Sequence, residues 1–160
     1  MEKRRLGNSD LHISVMGMGC WQFGGGESDF WGVQHQQDVN RVVDQALDKG
    51  LNYFDTAEVY NEGRSEISLG IALKGKRNRA VIGTKVSPSN AFPGEITESC
   101  EASLKRLQID YIDLYMLHWP LNSVSIKHYT DNQYKIANPP QVHEVFHELE
   151  SLQREGKIRY

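Results

Sequence analysis

The strongest constraint on this chain is a short apolar run that keeps returning, each time followed by an amphipathic stretch. The runs end near residues 19, 55, 85 and 118, separations of 36, 30 and 33 residues. Each step accommodates one strand, one helix and their loops. The strand-like runs are Val15 to Gly19, Asn52-Tyr53-Phe54 before Asp55, Ala80 to Thr84, and Tyr111 to Leu117. The run at 80–84 is almost unbroken, which suits a parallel strand buried on both faces. Between the runs, Val39, Val42, Val43, Ala46 and Leu47 share helical spacing, and Gly50 sits where a C-terminal cap glycine belongs. A second helix is expected over 64–73, with Ile67, Ile71 and Leu73 apolar. Pro93 opens a third, with Ile96, Cys100, Leu104 and Leu107 as its inner stripe. A fourth is expected over 141–154, ended by Gly156, after a long polar loop from Trp119 to Pro140. Residues 3–6 and 11–15 read as a hairpin around Gly7-Asn8-Ser9-Asp10, and 157–160 as the first residues of a further strand.

Such alternation implies a parallel sheet with right-handed crossovers. A doubly wound sheet and part of a (β/α)8 barrel both satisfy it. The chain reads as four βα units, the hairpin and the start of a fifth strand; a whole barrel needs about 250 residues, so 160 are too few for eight units. With 39% hydrophobic and 24% charged residues, the chain is expected to fold as a single domain, 1–160, with no internal linker.

The net charge of -3 lacks the basic excess of a nucleic-acid binder. The one basic stretch, Lys74-Gly75-Lys76-Arg77-Asn78-Arg79, reads as a solvated connection between a helix and a strand. Cys20 and Cys100 are too few for a disulfide framework or a zinc cluster, and both read as free thiols. No apolar h-region follows the basic start, and no run approaches the roughly 20 residues of a membrane span. A cytoplasmic protein without nucleic-acid or membrane partners is expected.

The ionisable groups fall in a pattern. Asp55, Lys85 and His118 each follow an apolar strand. In parallel α/β architectures the carboxyl ends of the strands line the site, so carboxylate, ammonium and imidazole converge on one rim. Tyr60, five residues beyond Asp55, folds back over it. Trp21 and Trp119 flank the same place and are candidate walls for a substrate, with His128, Tyr129 and Tyr134 as further candidates in the long loop. His143-Glu144-Val145-Phe146-His147 matches the zinc-protease helix motif H-E-x-x-H. At 100° per residue, however, both histidines point away from the apolar face made by Val142, Val145, Phe146, Leu149 and Leu152. A solvated face is expected there, and no metal site.

The sequence resembles the aldo-keto reductase family. The resemblance rests on Arg5-Leu6-Gly7-Asn8-Ser9, Met18-Gly19-Cys20-Trp21, Phe54-Asp55-Thr56-Ala57-Glu58-Val59-Tyr60 and Gly63-Arg64-Ser65-Glu66. It continues through Gly83-Thr84-Lys85, Ser103-Leu104-Lys105-Arg106-Leu107, Asp110 to His118, and Glu155 to Tyr160. It implies the N-terminal half of a (β/α)8 barrel and a catalytic tetrad of Asp55, Tyr60, Lys85 and His118.

The implied chemistry explains those residue types. Hydride addition to a carbonyl leaves negative charge on oxygen, so a proton donor must stand there. A phenol with a pKa of about 10 needs a neighbouring ammonium to favour its phenolate. Tyr60 would be the acid, Lys85 and Asp55 its tuners, and His118 a neutral orienter of the carbonyl. The hydride itself implies a nicotinamide cofactor, NADPH (NADP), since no side chain supplies one. The glycine-rich stretch Gly17-Met18-Gly19-Cys20-Trp21-Gln22 does not complete G-x-G-x-x-G, in line with a family that binds its dinucleotide without that fingerprint. By resemblance Cys20, Trp21 and Asp55 lie near the nicotinamide ribose, and Trp21, His118 and Trp119 near a small-molecule carbonyl substrate. A regulatory or cofactor-sensing subunit on the same scaffold, or an inactive portion of the enzyme, remain the alternatives. Four units alone leave strand edges unpaired, so self-association of the isolated chain is expected.

Overall fold

The computed structural model describes residues 1–160. β1 (Lys3–Arg5) and β2 (His12–Ser14) form the expected antiparallel hairpin. β3 (Gly17–Gly19), β4 (Tyr53–Asp55), β5 (Val81–Val86) and β6 (Leu114–Leu117) form a parallel sheet in the order β3-β4-β5-β6. α1 (Gln36–Asp48), α2 (Arg64–Ala72) and α3 (Glu95–Leu107) make the crossovers. α4 (Ser123–Tyr129), α5 (Gln133–Ala137) and α6 (Val142–Arg154) follow β6. A doubly wound sheet reverses its strand order at a switch point. Here each strand pairs with the next in sequence, as in a (β/α)8 barrel. Gly156 turns the chain with φ 75°, and residues 157–160 run parallel to β6 in the fifth-strand position. Ile112 N–H donates to Lys157 O (2.9 Å), and Arg159 N–H donates back to Ile112 O (2.9 Å).

One sheet face carries the core. Phe54, Ile82, Val86 and Tyr115 pack beneath the helices with Leu69 and Ile96, all nearly or wholly buried. The opposite face carries Tyr53, Gly83 and Met116. A Cβ on Gly17 would lie 2.7 Å from Tyr53 Cδ1, and one on Gly83 would lie 2.7 Å from Tyr53 Oη. The Tyr53 ring therefore spans from β3 to β5, and both glycines are required by its close approach. At the starts of the strands, buried Asn52 ties β4 to the hairpin, accepting from Ser14 N–H (2.7 Å) and donating to His12 O (2.9 Å).

Four expectations are corrected. The stretch from Trp119 to Pro140 is not a plain loop, because it holds α4 and α5, capped by the side chains of Asn122 and Asn132. Helices this short show no periodicity to read. In α2, Ile67 and Ile71 are exposed, and the buried face is Ser65, Glu66, Leu69 and Gly70. That face meets α3 at close range at Gly70, where a Cβ would lie 2.4 Å from Leu107 O. In α6, Val145 and Leu152 are buried, but Val142 and Phe146 lie exposed on its flank. Arg77 is not a solvated residue of the basic connection. It pairs with buried Asp113 (2.6 Å) and stacks on Tyr111 (4.4 Å to the ring centroid). No helix is long and apolar enough to cross a membrane.

Candidate active site

The carboxyl ends of β4, β5 and β6 place three of the expected groups side by side. Asp55 is the last residue of β4, Lys85 is the penultimate residue of β5, and His118 follows β6 with its N–H on Val86 O (2.9 Å). The register pairs Asp55 with Gly83 and Lys85 with Met116, so both side chains leave the sheet on the face opposite the helices.

Lys85 Nζ is the hub. It donates to Asp55 Oδ1 (2.5 Å), to Thr56 O (2.6 Å) and to the Tyr60 hydroxyl (3.4 Å), and it lies 4.8 Å from the Tyr60 ring centroid. The Tyr60 hydroxyl lies 3.3 Å from His118 Nε2. The phenol thus stands between an ammonium and an imidazole, and its ammonium is fixed by a carboxylate. The second oxygen of Asp55 accepts only from the Tyr53 hydroxyl (3.4 Å), so it keeps acceptor capacity toward the open side. Burial, and then the Asp55 charge, push the Tyr53 phenol well above its ordinary value, so it remains a donor. Burial first, and Lys85 second, hold His118 below the ordinary imidazole value, so its neutral form prevails near neutral pH. Its Nδ1 is buried without a partner.

Tyr60 opens a tight turn, Tyr60–Gly63, in which Asn61, Glu62 and Gly63 all take left-handed backbone (φ 48°, 58° and 84°). That turn folds the phenol back over the strand ends. Trp21 stacks on Tyr60 (centroids 5.6 Å, 24°). Opposite, Trp119 and His128 stack (4.6 Å, 25°), and Tyr129 meets Trp119 edge-on (5.3 Å, 77°). These rings and the Tyr60–His118 pair bound a cavity of about 410 Å³. Burial raises the Tyr129 phenol, with Tyr60 adding to the effect.

Six of the seven expected site residues thus come together. The seventh, Cys20, meets Asp55 through its backbone, its N–H donating to Asp55 O (2.8 Å), but its side chain is buried in the core with the thiol directed at Met18 O (3.4 Å). Burial and the Asp55 charge push that thiol far up, so it is inert. Tyr134 is exposed on α5 and does not line the cavity either. Two contributors were not anticipated. Tyr53 was readable in principle, since two-residue alternation puts it on the Asp55 face. Asn61 carried no such signal. His143 and His147 are exposed at a separate surface depression of about 730 Å³ between Pro93 and α6.

A parallel sheet in sequential order, with a carboxylate, an ammonium, an imidazole and a phenol meeting at its carboxyl end, defines part of a (β/α)8 barrel with its site at the usual rim. The family model of the aldo/keto reductase family matches residues 15–160, and the chain belongs to that family. It is 35% identical to the NADH-specific methylglyoxal reductase of Escherichia coli, over 99% of this chain and 50% of that protein. Among solved structures, aldo-keto reductase AKR11C1 of Bacillus halodurans in its holo form matches 100% of this chain and 49% of its own, at 35% identity and a TM-score of 0.78. An aldo-keto reductase of Klebsiella pneumoniae in complex with NADPH matches 92% and 44%, at 32% identity and a TM-score of 0.72. The chain spans about half the length of the curated relatives it matches.

Proposed function

We propose that the chain carries the catalytic centre of a cytoplasmic NADPH-dependent reductase that converts an aldehyde or ketone to an alcohol, with Tyr60 as proton donor. The observation that carries this reading is the placing of Lys85 Nζ between Asp55 and the Tyr60 hydroxyl, with His118 on the same phenol. The residues present fit the nicotinamide end of the cofactor. The Asp55 oxygen that accepts only from the Tyr53 hydroxyl has acceptor capacity left, the Asp55 side chain is 33% exposed, and Trp21 lines the cavity beside Tyr60. When bound, the cofactor supplies the hydride.

The chain's own groups do the rest. The Tyr60 hydroxyl donates its proton to the carbonyl oxygen as negative charge develops there. Lys85 stabilises the phenolate left behind, and Asp55 keeps the ammonium in place. Neutral His118 hydrogen-bonds the carbonyl and orients it. Trp21 and Trp119, with Tyr129, wall the space for the substrate's remainder. Their rings favour an uncharged organic carbonyl, because the ammonium nearest the cavity is already committed to Asp55. We also infer that the isolated 160-residue chain associates with further copies of itself through its uncovered sheet face.

The test is NADPH oxidation with methylglyoxal as substrate. Tyr60→Phe should lower kcat by the roughly 10²–10⁴-fold typical of a lost general acid, with NADPH affinity nearly unchanged. Near-normal reduction by the variant would remove Tyr60 from this role. Saturable NADPH binding by the unsubstituted chain without turnover would favour a cofactor-sensing role.

A further inference from the structure

The segment carrying Trp21 is held by its backbone carbonyls, and the donors are side chains of the turn after Tyr60 and of the start of α2. Cys20 O accepts from Ser65 Oγ (2.6 Å), and Gly24 O from Arg64 Nε (3.1 Å). Between them, the Asn61 amide donates to both Trp21 O (2.8 Å) and Phe23 O (2.9 Å). Asn61 does this from left-handed backbone, φ 48° and ψ 44°, followed by Glu62 at φ 58°. Left-handed backbone costs an L-residue free energy, asparagine less than most and glycine almost nothing. If the turn alone mattered, glycine would serve better at 61. What asparagine adds is the donor pair. One of those bonds joins the residue after the candidate proton donor to the backbone carbonyl of Trp21, whose ring stacks on that donor, 5.6 Å between centroids.

We propose that Asn61 is a positioning residue, a latch that holds the Trp21 ring against Tyr60 and so shapes the substrate side of the cavity. This rests on the reductase reading of the site. The latch acts on binding more than on proton transfer, because Asn61 makes no hydrogen bond to Lys85 or His118. Its partners are the carbonyls beside Trp21.

The test compares Asn61→Gly with Asn61→Asp in the chain labelled with 5-fluorotryptophan. Glycine relieves the backbone and removes the donors. Aspartate keeps the size and the tolerance of left-handed backbone, and replaces the donors with a carboxylate that faces the same carbonyls. The Trp21 fluorine resonance, assigned by its loss in Trp21→Phe, should shift and broaden in both variants. The methylglyoxal KM should rise about tenfold, the scale of one or two net hydrogen bonds, while kcat falls less. Asn61→Gly should melt no lower than Asn61→Asp. An unchanged Trp21 resonance in both variants would overturn the latch and leave Asn61 as a turn residue. So would an unchanged KM where turnover is measurable. If the unsubstituted chain reduces no carbonyl, the reductase reading fails, and the fluorine signal still decides the latch.

Discussion

Glu66 offers the most quantitative test of how the site is supported. It is fully buried where α2, α3 and β5 meet. Oε2 accepts from Arg106 Nε (2.6 Å) and Oε1 from Thr84 Oγ1 (2.5 Å), one residue before Lys85. Glu66→Ala would leave the guanidinium and the hydroxyl without their acceptor, in a space the alanine does not fill. Removing one partner of a buried pair costs about 3–5 kcal/mol. Arg106 keeps its bond to Ser103 Oγ (3.0 Å) and a side chain 25% exposed, which argues for the low end, about 3 kcal/mol. At about 2–4 °C per kcal/mol for a chain of this size, Tm should drop by roughly 6–12 °C. Replacing both partners, as in Glu66→Leu with Arg106→Leu, should cost less than Glu66→Ala, because no charge is then stranded. Urea unfolding followed by circular dichroism, at fixed protein concentration, measures the free energies, and a thermal scan of the same signal measures Tm. A loss below about 1 kcal/mol for Glu66→Ala would refute the reasoning, as would a double variant as unstable as the two singles added together.

Two further outcomes concern the site directly. Lys85→Met should lower methylglyoxal turnover by at least the roughly 10²–10³-fold seen when one charge-stabilising donor is lost, and normal turnover would make Lys85 a structural residue only. His118 gives up its proton more readily folded than unfolded, because burial and then Lys85 lower it from the ordinary 6.5. Its contribution to stability is therefore complete above about pH 6.5 and is lost as pH falls through the lower folded value. The urea midpoint should decline more steeply on acidification in the unsubstituted chain than in His118→Asn, and a His118 imidazole titrating at or above 6.5 by NMR would contradict this.

The features legible in the sequence are those set by period and position. Apolar runs returning about once per βα unit gave the parallel sheet, and a titratable group at the end of three of the four runs gave Asp55, Lys85 and His118. What escaped depends on contacts between elements distant in sequence. Nothing local distinguishes Glu66, buried opposite Arg106, from an exposed helical glutamate, and the same holds for Arg77 opposite Asp113. Ile67 and Ile71 look like core and are exposed, because α2 meets α3 through Gly70, where a Cβ would crowd the Leu107 backbone. α4 and α5 have seven and five residues, too few for a period, and only the asparagines at 122 and 132 marked their starts. The Asn61 amide serves carbonyls 40 and 38 positions away, a relation visible only once the strands are side by side.

The same topology leads to the expected association of the chain. Parallel sheets occur almost only with both faces covered. Here the helices cover one. On the other, Tyr53, Leu114 and Met116 are only half-buried, and the strand positions at β3 and at residues 157–160 have no neighbour on their outer sides. Phe146 and Val142 add exposed apolar surface on the flank of α6, at 52% and 58%. Apolar surface on this scale is usually a contact surface, and unpaired strand edges are templates for further pairing. Two copies meeting face to face would cover the bare side of each sheet. Light scattering at micromolar concentration should therefore report a dimer or larger species. Leu114→Lys, which places a charge on the bare face, should shift the chain toward monomer, because burying an unpaired ammonium between two sheets is costly. A cooperatively unfolding monomer of the unsubstituted chain would show that the face is tolerated in water and that no second copy is needed to cover it.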